Sequence, residues 1–406
     1  MKITDLKLFL VSCGHNRSWG PPGCSQNYVW VKVYTDEGID GIGEAFHSLE
    51  DPIEGTLSKY KRWLIGQDPT RVLYNWQAIY RGLRYPLGTT ELASLSTIEQ
   101  CLWDIAGKKC GLPVYKMLGG PVRDRVRAYH SGTWSQMPEL AGLSAPQQAV
   151  ALVDSGWTAL KFPVPQVEMM ANPPDLTLHR ADESTHRQLE EKVQRTREIR
   201  QAVGDDIDLC VDFGAQSFSS TLGIQLARAL EPYNLLFLEE PASSENPDLL
   251  VEVKSKTRIP IAAGERVIHR DLFRQLMEKR AVDMIQLEPT ACGGILETVK
   301  RAALAELYHV LLAPHHASGP VALLTCTHID AVVPNFLIQE MSVDFSSSRL
   351  ADLFSGLPII ENGYIQLPTQ PGLGIELNED AVRDYPPSPW DRPVVIQADG
   401  SVDMGA

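Results

Sequence analysis

The sequence predicts an α/β fold, a parallel barrel of the (β/α)8 kind with an α+β cap. From about residue 126 onward, short β-prone runs recur and amphipathic stretches such as 189–204 separate them, which indicates strands alternating with helices. The runs are 126–132, 158–164, 208–214, 235–241, 259–265, 282–288, 309–315 and 335–340. A doubly wound open sheet is the competing topology, but eight strands in even succession favour closure into a barrel.

The segment before residue 126 predicts a different architecture. "NYVWVKVYTDEGIDGIGEAF" (27–46) has the alternation and central turn of a β-hairpin, and 94–120 predicts a helix, a Gly-Leu-Pro stop and a second short helix. The stretch 356–377 is again rich in turns and strands. We therefore predict an N-terminal α+β capping domain over 1–125, completed by 357–406, and a barrel catalytic domain over 126–356.

Composition narrows the class of protein and of partner. The 406 residues are 44% apolar and 22% charged, and they hold no apolar run of membrane-spanning length. The first twenty residues predict a first strand better than a signal peptide. A net charge of −14 disfavours nucleic acid and anionic membranes as partners. The seven dispersed cysteines indicate reduced thiols and a cytoplasmic protein.

Acidic residues and histidines lie at the ends of the predicted barrel strands. Successive strand ends are about one βα unit apart in the sequence. They are Asp212, Glu239, Glu240, Glu265, Glu288, His315, His316 and Glu340. In a barrel, the carboxyl ends of the strands meet at one mouth, which is where active sites lie. Crowded carboxylates repel one another unless they are protonated or neutralised. A hard divalent cation with oxygen ligands resolves that repulsion, and Mg²⁺ is the cation we expect.

Taken in order, these strand ends resemble the enolase superfamily and, more narrowly, its mandelate racemase group. Within that group they are similar to the acid-sugar dehydratases such as galactonate dehydratase. The matching motifs are Asp212, "LEEP" (238–241), "AAGE" (262–265), the acid before "CGG" (292–294), "APHH" (313–316) and "IQE" (338–340). The cap matches through "YTDEGIDGIGEA" (34–45), 97–120 and "PGLGIEL" (371–377), so the resemblance covers nearly the whole chain. It implies a modified TIM barrel, (β/α)7β, with the capping domain described above.

The resemblance also implies roles for individual residues. By position, the three metal ligands fall on Asp212, Glu239 and Glu265, and Glu240 is a structural or outer partner. The acid–histidine dyad falls on Glu288 and His315, and His315 is the implied proton-transfer group.

The resemblance to the mandelate racemase group also covers Glu340 and Lys161. Glu340 is implied to polarise the substrate carboxylate or its enediolate. Lys161 matches the first lysine of the K-x-K found in racemase-like members.

Departures from the group limit what the resemblance implies. Pro163 stands where the second, base lysine of the K-x-K lies, which disfavours a two-base racemase that uses lysine. Gly214 stands where galactonate dehydratases carry the histidine that acts as general acid. His315 then serves as both base and acid, or Lys161, His130 or His15 supplies the proton.

Two loops are candidates for substrate recognition. The loop 12–24 carries His15 and Arg17, and in relatives this loop closes over the substrate. With His130 at the tip of strand one, these residues are the predicted substrate-binding set. The connection 163–184 after strand two is unusually long, and it is expected to form a pocket wall or a subunit contact.

Three functional hypotheses follow from the sequence. The first is a Mg²⁺-dependent dehydratase that removes the proton α to the carboxylate of a sugar acid, an aldonate or aldarate, and eliminates the β-hydroxyl to give a 2-keto-3-deoxy acid. The second is an epimerase or racemase of a 2-hydroxy acid. The third is a weakly active or non-catalytic relative that binds metal and sugar acid. The expected partners are the small-molecule sugar acid and other copies of the chain in a homo-oligomer.

Overall fold

A computed structural model of the chain describes most of its length. The described residues are 1–12, 27–46, 50–132, 134, 137, 139–163, 170–171, 177–179, 185–213, 219–342, 345, 348–388, 394–396 and 399–402. Within these residues no helix combines the length and the apolar character that a membrane crossing requires.

The N-terminal section forms a three-stranded antiparallel sheet packed against helices. The strands are β1 (Ile3–Ser12), β2 (Asn27–Thr35) and β3 (Asp40–Glu44), in the order β1-β2-β3. The helices are α1 (Glu50–Leu64), α2 (Val72–Gly82), α3 (Thr89–Cys110) and α4 (Val114–Met117). Most of α3 is buried, and it ends at Gly111 in the left-handed conformation (φ 67°) that glycine adopts readily. The hairpin predicted over 27–46 and the helix predicted within 94–120 are both present.

Parallel strands and helices then alternate along the chain, apart from the short antiparallel pair β6 and β7 within the connection after β5. They are β4 (Arg125–His130), α5 (Ala145–Asp154), β5 (Ala159–Pro163), β6 (Met170–Ala171), β7 (Thr177–His179), α6 (Thr185–Val203), β8 (Asp208–Asp212), α7 (Ser220–Leu230), β9 (Phe237–Glu239), α8 (Pro247–Lys254), β10 (Ile261–Ala263), α9 (Arg270–Glu278), β11 (Met284–Ile285), α10 (Ile295–Leu307), β12 (Leu311–Leu312), α11 (Pro320–Val332) and β13 (Gln339–Met341). The parallel strands follow the order β12-β11-β10-β9-β8-β5-β4, and β13 pairs in parallel with β4. This arrangement is the modified TIM barrel that the sequence predicts.

The two ends of this sheet meet between its seventh and eighth strands. The Leu312 N–H donates to the Asn335 carbonyl at 2.8 Å, and the Leu337 N–H donates to the Leu312 carbonyl at 2.8 Å. On the other side of β13, Glu340 lies opposite Tyr129 of β4. The backbone bonds therefore bring the last strand between the first strand and the seventh.

The C-terminal section returns to the first strand and to the N-terminal sheet. Its elements are α12 (Ser348–Leu353), β14 (Phe354–Ser355), β15 (Ile360–Glu361), β16 (Tyr364–Gln366), β17 (Glu376–Leu377) and β18 (Val394–Ile396). β16 pairs with β4, while β18 pairs with β7 of the long connection after strand two. Lys32 of β2 donates to Glu379 at 2.8 Å, and Asn27 exchanges two hydrogen bonds with Ser388. The domain limits at 125/126 and 356/357 stay a prediction.

Eight buried side chains pack together inside the barrel, one in each parallel strand or, for β12 and β13, in the residue next to the strand. These side chains are Tyr129, Ala159, Cys210, Phe237, Ala262, Met284, Ala313 and Ile338, and each is 3% exposed or less. We call this layer the barrel floor. Because side chains alternate along a strand, the next inward-facing residue lies two positions further on, toward the carboxyl ends.

Glu99 of α3 connects the N-terminal section to the loop after strand six. Its carboxylate accepts hydrogen bonds from the first two amides of α10, Ile295 at 2.8 Å and Leu296 at 2.9 Å, and from the Trp103 indole at 2.7 Å. Glu99 is 1% exposed. The N-terminal section thereby fixes the loop that follows Glu288.

Replacing Glu99 with alanine is expected to lower the free energy of unfolding by about 3 kcal/mol, because one buried and two partly buried donors lose their acceptor. Chemical denaturation measures the change, and Glu54→Ala at an exposed position of α1 is the matched control. A loss no larger than the control's would show that Glu99 does not support this junction.

Candidate active site

The strand-end acids lie at one end of the barrel, directly beyond the floor. Asp212 and Glu239 end β8 and β9, and they are register partners. Glu265, Glu288 and His315 follow the ends of β10, β11 and β12 in the chain. Glu239, Glu288, Glu340 and His315 are each no more than 6% exposed, so their charges interact in a poorly hydrated space. The structure therefore brings together the acids and the histidine that the sequence predicted for one mouth.

Lys161 lies among three of these carboxylates. Its ammonium is 2.6 Å from Glu239 Oε2, 2.8 Å from Glu340 Oε1 and 3.7 Å from Asp212 Oδ2. Burial lowers the pKa of Lys161, but Glu239 and Glu340 outweigh burial and raise that pKa well above its usual value. Lys161 is accordingly a charged ammonium, and it partly neutralises the acid cluster.

His315 bridges the acids on the opposite side of Glu340. Its Nδ1 is 2.8 Å from Glu288 Oε2, and its Nε2 is 3.1 Å from Glu265 Oε2 and 3.9 Å from Glu340 Oε2. Burial lowers the pKa of His315, but the carboxylates of Glu265 and Glu340 raise it well above the usual range. The ring has one nitrogen held by Glu288 and the other directed toward the cluster.

Glu288 is itself held in place by the chain that follows it. Its Oε1 accepts from the Thr290 N–H at 2.9 Å and from the Thr290 hydroxyl at 2.6 Å, which leaves Oε2 for His315. A carboxylate fixed in this way fixes the orientation of the imidazole it bonds. The pair has the geometry of an oriented proton-transfer group.

The remaining acids repel one another. Burial and then Asp212 raise the pKa of Glu239 well above its usual value, while burial and then Glu265 raise the pKa of Glu240 to about 8. Such a set gains stability from any added cation. In the described part of the chain, however, no three His, Cys, Asp or Glu side chains converge on a single metal-binding point. The Lys161 ammonium and the His315 ring occupy the spaces between the acids.

The donor chemistry of the predicted ligands nevertheless fits Mg²⁺. Asp212, Glu239 and Glu265 supply carboxylate oxygens only, which hard divalent cations prefer. All three come from the ends of neighbouring strands, β8, β9 and β10.

The two acids of "LEEP" point to different partners. Glu239 bonds Lys161, whereas Glu240 accepts from the Ser244 hydroxyl at 3.2 Å and lies 3.6 Å from Arg266 Nε. Glu240 has a φ of 40°, a left-handed conformation that residues other than glycine adopt at a cost. The turn at Glu240 separates its carboxylate from that of Glu239.

Of the predicted substrate-binding residues, the structure describes only His130, and it places His130 away from this site. His130 follows the inward-facing Tyr129, so it faces the other side of β4, where its ring packs edge-on against Trp157 at 5.1 Å. His15, Arg17 and Gly214 lie outside the described residues.

Two residues of the N-terminal section contact the barrel, Phe46 at the site and Glu44 at the start of α11, and neither is among the residues predicted from the sequence. The Phe46 ring lies 6.2 Å from the His315 ring, centroid to centroid. Glu44 accepts from the Gly319 and Ala322 amides at the start of α11, at 2.5 and 3.0 Å. In the sequence, Glu44 and Phe46 are marked only by their position at the end of the predicted hairpin. That position does not indicate which distant residues they contact.

Comparison with known proteins agrees with this geometry. Residues 23–119 match the mandelate racemase / muconate lactonizing enzyme N-terminal domain, and residues 145–381 match the enolase C-terminal domain-like family. A D-galactonate dehydratase of Ralstonia pickettii is 36% identical over 414 aligned positions, which cover 99% of both chains. A D-galactonate dehydratase of Xanthomonas campestris is 34% identical over 92% of this chain and 96% of its own.

Solved structures give the same result. A mandelate racemase/muconate lactonizing enzyme-type structure from Labrenzia alexandrii has a TM-score of 0.85 and 31% identity, and covers 98% of this chain and 100% of its own. An enolase from Agrobacterium radiobacter, bound to sodium and L-malate, has a TM-score of 0.84 and 30% identity, with 99% of each chain covered.

Proposed function

The chain belongs to the mandelate racemase and muconate lactonizing enzyme group of the enolase superfamily, and from that premise we propose that it is a Mg²⁺-dependent dehydratase of a sugar acid. It is an enzyme of the lyase class, like the D-galactonate dehydratases to which it is similar. The proposed substrate is an aldonate or an aldarate with hydroxyls on the α- and β-carbons.

The observation that carries the proposal is the placement of His315. The ring is oriented by Glu288 at 2.8 Å, and its other nitrogen faces the carboxylate cluster from 3.1 Å. A histidine next to a cation-binding acid cluster suits removal of a proton α to a carboxylate. The general pattern of a histidine base with Mg²⁺ is a known one for this superfamily.

Asp212, Glu239 and Glu265 would hold the metal ion. When bound, Mg²⁺ supplies positive charge to the substrate carboxylate, where the α-carbanion's charge accumulates. Lys161 and Glu340 then serve the same end of the substrate: the ammonium donates to a carboxylate oxygen, and Glu340 holds the ammonium at 2.8 Å.

The atoms of the reaction balance without a further reactant. His315 takes the α-proton and the α-carbon–hydrogen bond breaks. The β-carbon–oxygen bond then breaks, and the hydroxyl leaves as water with a proton returned by His315 or given by Lys161. The resulting enol loses its hydroxyl proton and takes up a proton at the β-carbon, and so becomes the 2-keto-3-deoxy acid.

An epimerase of a 2-hydroxy acid is the second candidate. Lys161 and His315 approach different oxygens of Glu340, at 2.8 Å and 3.9 Å, so two proton-bearing groups flank one carboxylate. Epimerisation would need Lys161 to act as a base. Pro163 stands where the second, base lysine of racemase-like members lies, which favours dehydration.

A substrate screen tests the proposal. The protein is incubated with Mg²⁺ and a set of aldonic and aldaric acids that includes D-galactonate, and 2-keto acid is detected as the semicarbazone. We expect 2-keto acid from at least one acid sugar. Exchange of the α-proton for deuterium without elimination, seen by NMR, would replace the dehydratase with the epimerase. Neither product nor exchange with any acid would overturn both.

A further inference from the structure

Gln286 points into the barrel, one step beyond the floor toward the carboxyl ends. Met284 belongs to the floor, while Ile285 and Leu287 belong to the apolar core outside the barrel strands. Backbone pairing continues past β11, since Gln286 N–H donates to the Ala263 carbonyl at 3.0 Å and His315 N–H donates to the Leu287 carbonyl at 3.1 Å. Alternation therefore places the Gln286 side chain on the same inner face as Met284.

The Gln286 carboxamide is fully buried, at 0% exposure. Neither its Nε2 nor its Oε1 has a hydrogen-bond partner among the described residues. A buried amide with donor and acceptor both unsatisfied is costly, so its retention requires a reason.

Gln339 on the eighth strand provides the contrast. It is also 0% exposed, but it lies between the inward-facing Ile338 and Glu340 and therefore faces the other side of the strand. Its Nε2 donates to the Pro314 carbonyl at 3.1 Å and to the Glu340 carbonyl at 2.8 Å. That amide connects backbone segments, whereas the Gln286 amide has no such role in the described residues.

The chain beyond β10 has a glycine beside Gln286, so it presents no side chain at that position. Residue 264 is a glycine with φ +148°, and a Cβ there would lie 2.7 Å from Gln286 N. The two backbones can approach only because Gly264 has no side chain. Gln286 thus stands between the strand that carries Glu265 and the strand that carries His315, with its amide directed into the site.

We infer that Gln286 is a substrate-contact residue whose amide binds hydroxyl groups of the acid sugar. A carboxylate accepts hydrogen bonds but does not donate, so it can satisfy only Nε2 of the amide. A hydroxyl donates and accepts, so one hydroxyl or a neighbouring pair satisfies both Nε2 and Oε1. The inference rests on the proposed function and adds a determinant of substrate specificity to it.

Gln286→Met and Gln339→Met test the inference together. Methionine has nearly the shape of glutamine, so each change removes the amide without leaving a cavity. Gln286→Met is expected to leave the thermal midpoint of the ligand-free protein unchanged or higher. It should lower kcat/KM for the best acid sugar of the screen by about tenfold or more, chiefly through KM. Gln339→Met should lower the thermal midpoint and leave KM near the wild-type value.

The two measurements separate the inference from the proposed function. A lower midpoint for Gln286→Met in the ligand-free protein would assign the amide to an internal bond, such as one to a buried water, and would overturn the inference whatever the substrate. An unchanged KM for Gln286→Met would overturn it as well. Failure of the proposed function shows in the wild-type protein alone, as a lack of 2-keto acid from every acid sugar.

Discussion

Replacing His315 with asparagine is expected to abolish both 2-keto acid formation and α-proton exchange. The imidazole is the group that Glu288 orients at 2.8 Å, and asparagine has no basic nitrogen to put in its place. Loss of a positioned base lowers turnover by about 10²- to 10⁴-fold. Semicarbazone detection measures the elimination, and deuterium exchange measures the first proton transfer.

His269→Asn is the matched control for this variant. His269 is exposed and precedes α9, and no described ion pair joins it to an acid of the cluster, so the same substitution there should leave turnover unchanged. If His315→Asn exchanged the α-proton at the wild-type rate, another residue would be the base. If it exchanged but did not eliminate, His315 would be the acid that protonates the leaving hydroxyl.

Replacing Glu239 with glutamine is expected to lower the affinity for Mg²⁺ by more than the roughly tenfold that the loss of an outer partner costs. The change removes one of the three anionic ligands that we propose for Mg²⁺, the other two being Asp212 and Glu265. It also removes the carboxylate that Lys161 contacts at 2.6 Å. Calorimetric titration with Mg²⁺ in the absence of substrate measures the affinity directly, and turnover should fall in parallel.

Glu240→Gln tests whether the acid next to Glu239 takes part in binding Mg²⁺. Glutamine at this position can still accept from Ser244, which lies 3.2 Å from Glu240 Oε1, so the turn should survive. We expect Mg²⁺ affinity close to that of the wild type. The reverse result, with affinity lost in Glu240→Gln and kept in Glu239→Gln, would move the ligand assignment to the second acid of "LEEP".

Much of the fold was predictable because it follows local rules. Short β-prone runs and amphipathic helical stretches follow each other at even intervals along the barrel sequence. The hairpin over 27–46 has alternating apolar and polar residues on both sides of a turn sequence. The acid cluster was predictable for the same reason: each acid ends a strand, and parallel strands end at one edge. Lys161 and the proton-transfer role of His315 entered through the resemblance, and the structure brings both residues among the acids.

The remainder depends on partners that are distant in the chain. Glu44 and Glu99 look like ordinary surface acids in the sequence, and only the packing of the N-terminal section on the barrel buries them against α11 and α10. Gln286 had a local signal, a polar residue at an inward position of an apolar strand, but its lack of a partner is a property of the folded barrel. His130 was selected as a strand-tip histidine, although strand alternation turns it away from Tyr129.

The barrel floor has a consequence for traffic through the site. The eight side chains of the floor fill the barrel below the acids, so in the described part of the chain the acids are not reached through the barrel from the amino ends of its strands. In the proposed reaction, acid sugar, 2-keto acid and released water would therefore all enter and leave at the carboxyl ends of the strands. A bound 2-keto acid would then have to leave before the next acid sugar could enter.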